Sequence, residues 1–127
     1  MKKRKLTAAN IRYLLAIGAS QRKNSGARCV DVADSLGVSK PSVHSMVSTL
    51  QNRLLVRQDR YGYIFLTDAG RSLYRRYTAY FEAVSGQMRQ MLDSDEEAGT
   101  AACAVLAEVS EDSLARMIRN APGGRKS

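Results

Sequence analysis

The segment from Cys29 to Gly70 constrains the fold more than any other part of the chain, because its helix stop and start signals follow each other closely. A helical pattern runs to Leu36 and stops at Gly37, a residue type that readily adopts the left-handed conformation found at helix ends. Ser39 then provides an N-cap for a second helix, whose first turn accommodates the proline that follows Lys40. Two helices joined by so short a turn predict a helix-turn-helix.

The second helix of this motif has one apolar face and one polar face. Its apolar residues recur at the i, i+3, i+4 and i+7 spacing of a buried stripe, and they are Val43, Met46, Val47 and Leu50. Two strand-like runs follow, Leu54–Arg57 and Tyr63–Leu66, joined by a polar turn. Helix, turn, helix and hairpin predict a mainly α fold with a winged helix-turn-helix, whose second helix can enter a DNA major groove.

The distribution of charge points to the same part of the chain. The formal net charge is +8, and residues 1–60 hold 12 basic and 3 acidic groups, whereas residues 61–127 hold 8 basic and 9 acidic groups. The excess of positive charge therefore lies in the half that carries the helix-turn-helix. Double-stranded DNA is the expected partner, and phosphate contacts from such a surface would make binding strongly salt-dependent.

The polar face of the second helix and the hairpin supply the expected DNA contacts. Small hydroxyls and a proline ring suit thymine methyls and varied base edges, which predicts modest direct readout and a large phosphate contribution. The single histidine is expected to contact a phosphate or a base and not a metal. The predicted DNA-binding residues are Ser39, Lys40, Pro41, Ser42, His44, Ser45, Arg53, Arg57 and Arg60.

The remaining sequence predicts helices. We expect a first helix at Ala8–Ser20, a polar loop at Gln21–Ala27, a long fourth helix from about Asp68 to Leu92, a fifth opened by the acidic run 93–97, and a short sixth that Pro122 ends. The expected division is a DNA-binding domain at 1–70 and a helical dimerisation region at 71–127. The sequence contains no run of 18 apolar residues, so no membrane span is predicted.

Other function classes find little support in the composition. The two cysteines lack metal-ligand or redox spacing, which is typical of a reduced cytoplasmic protein. One histidine and scattered carboxylates do not form the set of base, nucleophile and metal that an enzyme needs, so catalysis is not expected.

On these motifs the chain resembles the iron- and manganese-dependent repressors of the diphtheria-toxin-repressor type. The resemblance runs from about Leu6 to Met117 and rests on Leu36-Gly-Val-Ser-Lys-Pro-Ser-Val43, on Tyr61-Gly-Tyr-Ile-Phe-Leu-Thr-Asp-Ala-Gly70, and on the ending Ala102-Cys103 with Val109-Ser-Glu-Asp112. It implies a homodimer, repressor binding to a near-palindromic operator, and control by a divalent metal.

The chain departs from that family at the metal. The family places carboxylate, imidazole and thiol ligands at six positions, which here hold Arg12, Leu15, Phe81, Cys103, Leu106 and Ala107. Mn²⁺ and Fe²⁺ prefer carboxylate and imidazole donors, and only the cysteine thiol remains. We therefore expect no metal site and no cofactor, with apolar packing at Leu15, Phe81 and Leu106 in place of the metal.

An apolar stripe on the fourth helix leaves alternatives open. Its spacing favours a dimer interface together with core, and the expected interface residues are Tyr77, Phe81, Val84 and Met88. The same stripe is compatible with a pocket for an unidentified apolar effector, as in repressors of the multiple-antibiotic-resistance type. A winged helix that binds another protein instead of DNA is the remaining alternative.

Overall fold

The structure is a computed structural model that describes residues 5–120, and within them it is mainly helical with a small hairpin. This confirms the expected winged helix-turn-helix. No helix in this part of the chain is long and apolar enough to cross a membrane. The elements are α1 Ala8–Asn24, α2 Cys29–Leu36, α3 Lys40–Asn52, β1 Val56–Gln58, β2 Ile64–Leu66, α4 Asp68–Met91, α5 Asp95–Glu108 and α6 Glu111–Asn120.

The described residues form two compact units. One comprises residues 12–75, which include α2, α3 and the hairpin. The other comprises residues 5–11 and 76–120, which include α5 and α6. The expected ending at Pro122 lies outside the described residues.

The helix-turn-helix forms as its sequence predicts. Gly37 ends α2 with φ 68°, and its amide bonds the carbonyl of Ala33. Ser39 caps α3, accepting a hydrogen bond from the amide of Ser42. The apolar face of α3 is buried at Val43, Val47 and Leu50, with Met46 only half-buried.

The first helix is one turn longer than the sequence suggests. Residues 21–24, expected in a loop, continue α1 to Asn24. The Gln21 side chain explains the extension, because its Oε1 accepts a hydrogen bond of 2.8 Å from the amide of Leu66 in β2. The chain then turns at Ser25 and Gly26, both with positive φ, before Ala27 pairs with the wing.

The wing is a short antiparallel hairpin. Its register pairs Val56 with Leu66 and Gln58 with Ile64, and Ala27 adds an isolated bridge to Ile64. The first strand begins two residues later than expected, because Leu54 ends α3 in the left-handed conformation at φ 63°.

Thr67 joins the end of α3 to the start of α4. Its hydroxyl donates to the carbonyl of Leu54 at 2.7 Å and accepts from the amide of Gly70 at 3.0 Å, so its side chain caps the start of α4. Its own amide bonds the carbonyl of Leu55. A Cβ at Gly70 would lie 2.0 Å from that carbonyl oxygen, so only glycine fits this junction.

The second unit is held by capping and by one carboxylate. Thr7 and Asn10 cap each other reciprocally at the start of α1, and Ser94 caps α5. At the start of α6, the Glu111 carboxylate accepts hydrogen bonds from Arg76 and from the hydroxyl of Tyr80. These bonds tie α6 to α4.

Candidate nucleic-acid interface

The exposed face of α3 carries the side chains that could reach base edges. Burial of Val43 and Val47 fixes which face of the helix points to solvent. The Ser39 hydroxyl donates to the hydroxyl of Ser42 at 3.0 Å, so the Ser42 side chain is held at the helix start. The exposed residues on this face include Lys40, Pro41, Ser42, His44 and Ser45, as the sequence predicts.

The tip of the wing is ordered by one aspartate. Asp59 Oδ1 accepts hydrogen bonds of 2.9 Å from the amides of Tyr61 and Tyr63. Gln58 Nε2 donates to the carbonyl of Gly62 at 3.0 Å, and Gly62 has φ 92°, a left-handed value that glycine adopts without strain. The wing therefore presents its side chains from a fixed turn.

The wing places cations on aromatic rings. The guanidinium of Arg57 lies 4.6 Å from the ring centre of Phe65, and that of Arg60 lies 5.9 Å from the ring centre of Tyr61. Tyr61 is 76% exposed. Both arginines are among the DNA-binding residues predicted from the sequence. Tyr61 is not, although its place beside Arg60 in the hairpin turn was a usable signal.

The predicted basic residues do not form a single group. Lys40 and His44 lie with the wing residues around a cavity at the start of α3. Arg53 follows the last residue of the same helix, which places it about 20 Å away along a helix of this length. Arg28, which is not among the residues predicted from the sequence, lies at the same cavity and pairs with Asp31 at 3.0 Å.

The lining of this cavity includes a cysteine and a histidine. Cys29 Sγ lies 3.8 Å from His44 Nδ1. Burial raises the pKa of the Cys29 thiol, while the charge of Lys40 opposes the rise. The thiol is therefore protonated at neutral pH, and which group donates in its contact with the imidazole depends on the histidine tautomer.

Two further sets of predicted residues lie elsewhere in the fold. At the positions of the family's metal ligands, Arg12 is exposed, Leu15 and Phe81 are half-buried, and Leu106 is buried. In the expected dimer stripe, Tyr77 and Val84 are 7% and 5% exposed in the single chain, while Phe81 and Met88 are half-buried. The buried pair therefore already belongs to the chain's own core.

Comparison with known proteins supports a DNA-binding domain. Residues 21–60 match the IclR helix-turn-helix domain, and no curated protein matches the chain. A hypothetical protein from Sulfolobus solfataricus is similar in structure, with a TM-score of 0.65 and 18% identity, over 95% of this chain and 98% of that protein. IdeR of T. acidophilum gives a TM-score of 0.65 with 19% identity, over 86% of this chain and 52% of IdeR.

These likenesses agree with the geometry. At such identities the solved structures establish the fold alone, and the domain match covers the end of α1, both helices of the motif and the first part of the wing. The chain carries a winged helix-turn-helix DNA-binding domain of the kind found in transcriptional regulators.

Proposed function

We propose that this protein is a transcriptional repressor of the diphtheria-toxin-repressor-like class, which binds a near-palindromic operator as a homodimer without control by a divalent metal. One observation carries the DNA-binding part of the proposal. The capped start of α3 presents exposed Lys40, Pro41 and Ser42 beside a wing whose tip is held by Asp59. Helix and wing together can reach a groove and its flanking phosphates.

Lys40 tests this assignment. Its ammonium group is exposed at the first position of α3, where phosphate contacts are expected. Lys40→Ala should weaken binding to all duplexes and lower the slope of log K against log salt by about one unit. Fluorescence anisotropy at several salt concentrations measures the slope. Arg116→Ala, which removes an exposed cation from α6, should leave it unchanged.

The homodimer rests on the resemblance and on the outer part of the α4 stripe. Phe81 and Met88 are only half-buried in the single chain, and Met91 is 72% exposed at the end of the same helix. A two-fold pair would place the two recognition helices about 34 Å apart, one DNA turn, as a near-palindrome requires.

Ultracentrifugation at micromolar concentration tests the homodimer. Met88→Glu should shift the chain towards the monomer, because a carboxylate would replace an apolar contact. Gln87→Glu adds the same charge at an exposed neighbouring position and should not change the mass. A strictly monomeric natural chain would exclude the homodimer.

Metal independence rests on donor chemistry. Of the six positions occupied by ligands in the family, only Cys103 keeps a donor atom, and its side chain is 2% exposed in α5. Residues 5–120 contain no group of three or more His, Cys, Asp or Glu side chains that could hold a metal ion. One buried thiol does not meet the preference of Mn²⁺ or Fe²⁺ for oxygen and imidazole donors, so the residues do not fit the metal of the family.

A further inference from the structure

We propose that the cavity between α2, α3 and the wing receives one backbone phosphodiester of duplex DNA, held by Arg28, Lys40 and His44. The inference rests on the proposed DNA-binding function and deepens it, because it names a site for a phosphate that the contacts of α3 alone do not predict.

The cavity lies within the unit of residues 12–75 and has walls from three elements. Its volume is about 300 Å³, and it is partly open to solvent. The first turn of α2 contributes Cys29, the start of α3 contributes Lys40 and His44, and the wing contributes Tyr61 and Tyr63. A volume at the lower limit for drug-sized ligands, in a partly open site, suits one segment of a long ligand.

The chemistry of the lining favours an anion. Arg28 and Lys40 are cationic, and none of the lining side chains is acidic. Asp31 neutralises part of the Arg28 charge, but its carboxylate bonds only Nε and one terminal nitrogen, at 3.0 and 3.3 Å. The guanidinium has five N–H donors, so donors remain for a phosphate.

His44 can act as a hydrogen-bond donor. Its Nδ1 lies 3.8 Å from the thiol of Cys29, where the roles of donor and acceptor depend on the imidazole tautomer. In the tautomer that carries its proton on Nε2, that N–H can donate to a ligand. His44 can therefore contribute a hydrogen bond to the phosphate.

The surroundings of the cavity favour DNA over a free phosphorylated molecule. Lys40 belongs both to the cavity and to the exposed start of the recognition helix. Tyr61 lines the cavity and is 76% exposed on the wing, so its ring is accessible to pack against a deoxyribose. A phosphodiester held there would lie between the groove entered by α3 and the backbone that the wing follows.

Cys29 provides a reporter inside the cavity. We would alkylate the full natural chain with iodoacetamide at mildly alkaline pH and follow the modification of each cysteine by peptide mass. Duplex DNA at ten times its dissociation constant should slow the modification of Cys29 about tenfold, because it leaves about one chain in ten free. Cys103, 2% exposed, serves as the internal control for unfolding.

The outcomes separate this inference from the proposed function. A duplex that binds in a gel shift but leaves Cys29 unprotected would overturn the phosphate site and leave DNA binding intact. Inorganic phosphate that protects as well as DNA at the same concentration would assign the cavity to a small anion instead. A chain that binds no duplex would refute both proposals.

Two substitutions distinguish a phosphate contact from simple shielding. Arg28→Ala should lower the salt slope by about one unit, because one cation leaves the phosphate. Arg116→Ala removes an exposed cation from α6 and should not change the slope. His44→Ala should weaken binding, because one hydrogen-bond donor to the phosphate is lost. An unchanged slope in Arg28→Ala would contradict the assignment.

Discussion

Leu54 closes the recognition helix in a conformation that usually belongs to glycine. Its φ is 63°, its amide bonds the carbonyl of Gln51, and the next amide, of Leu55, bonds the carbonyl of Leu50. These two bonds form a Schellman motif with leucine at its left-handed position. The side chain is 74% exposed, so little burial offsets the steric cost of its Cβ.

Replacing Leu54 with glycine should stabilise the protein. The left-handed conformation costs an L-residue roughly 1–2 kcal/mol, and glycine removes this cost. The greater conformational freedom of glycine in the unfolded chain cancels part of the resulting stabilisation. We expect the free energy of unfolding to rise by about 0.5–1 kcal/mol in urea titrations. Leu54→Ala keeps the Cβ and should bring no such gain, so an equal rise in both variants would contradict the argument.

Burial and the Glu111 carboxylate both hold the proton on the Tyr80 hydroxyl by raising its pKa. Burial and the hydrogen bond to the Glu111 carboxylate raise the pKa of Tyr80 to about 12, and Tyr77 packs edge-on at 5.0 Å. A phenol that holds its proton more tightly in the folded state than in the unfolded state stabilises the fold below pH 10. That contribution falls as the pH rises from about 10 to about 12.

Tyr80→Phe removes both the hydrogen bond and its pH dependence. At pH 7 the free energy of unfolding should fall by about 1 kcal/mol, because Glu111 loses one of its donors. Between pH 10 and 12 the natural chain should lose more stability than the variant. Tyr61→Phe, on an exposed wing side chain, is the control and should match the natural chain at pH 7. A variant that loses stability as steeply as the natural chain would exclude Tyr80 as the titrating group.

At the scale of elements, the wing works as a rigid turn and not as a loose loop. One carboxylate oxygen of Asp59 holds two amides of the turn, and Gly62 closes it with its own amide on the Asp59 carbonyl. The order of Arg60 and Tyr61 therefore depends on a residue that is itself acidic and would repel DNA.

Comparison of two Asp59 variants separates order from charge. Asp59→Asn and Asp59→Ala both remove the negative charge, but only asparagine keeps an oxygen that can accept the two amides. We expect Asp59→Ala to bind duplex DNA on the order of tenfold more weakly than Asp59→Asn, the equivalent of about one hydrogen bond. Anisotropy titrations at one salt concentration measure the ratio, and equal affinities would show that the turn needs no side-chain support.

Local signals predicted the elements whose limits are set locally. Gly37 and Ser39 lie next to the helix ends that they determine, and both were identified from the sequence. The end of α1 was not predicted correctly, because it depends on a hydrogen bond from the amide of Leu66 to the side chain of Gln21, 45 residues away in the chain. The same distinction applies to the candidate site. Lys40 was predicted from its own helix, whereas Arg28 and Cys29 come to line the same cavity as Lys40 only when α2, α3 and the wing pack together.

At the scale of the whole molecule, metal independence is the sharpest prediction. Calorimetry with Mn²⁺, Fe²⁺, Co²⁺ and Zn²⁺ should show no stoichiometric micromolar site for Mn²⁺, since Leu15, Phe81 and Leu106 offer no donors. The DNA gel shift should persist in excess chelator. Loss of the gel shift in chelator, or micromolar Mn²⁺ binding, would refute metal independence. A weak Zn²⁺ site at a single cysteine or histidine would not, because isolated donors bind Zn²⁺ adventitiously.

Two glycines in this fold differ in whether a D-amino acid could replace them. Gly37 has a left-handed backbone at φ 68°, whereas Gly70 lies in the first turn of α4 against the Leu55 carbonyl. In a chain made by chemical synthesis, D-alanine at position 37 should be tolerated and should stiffen the turn, because positive φ is its natural range. At position 70 the L-enantiomer meets the Leu55 carbonyl oxygen and the D-enantiomer opposes the right-handed helix, so both should disrupt the junction between α3 and α4.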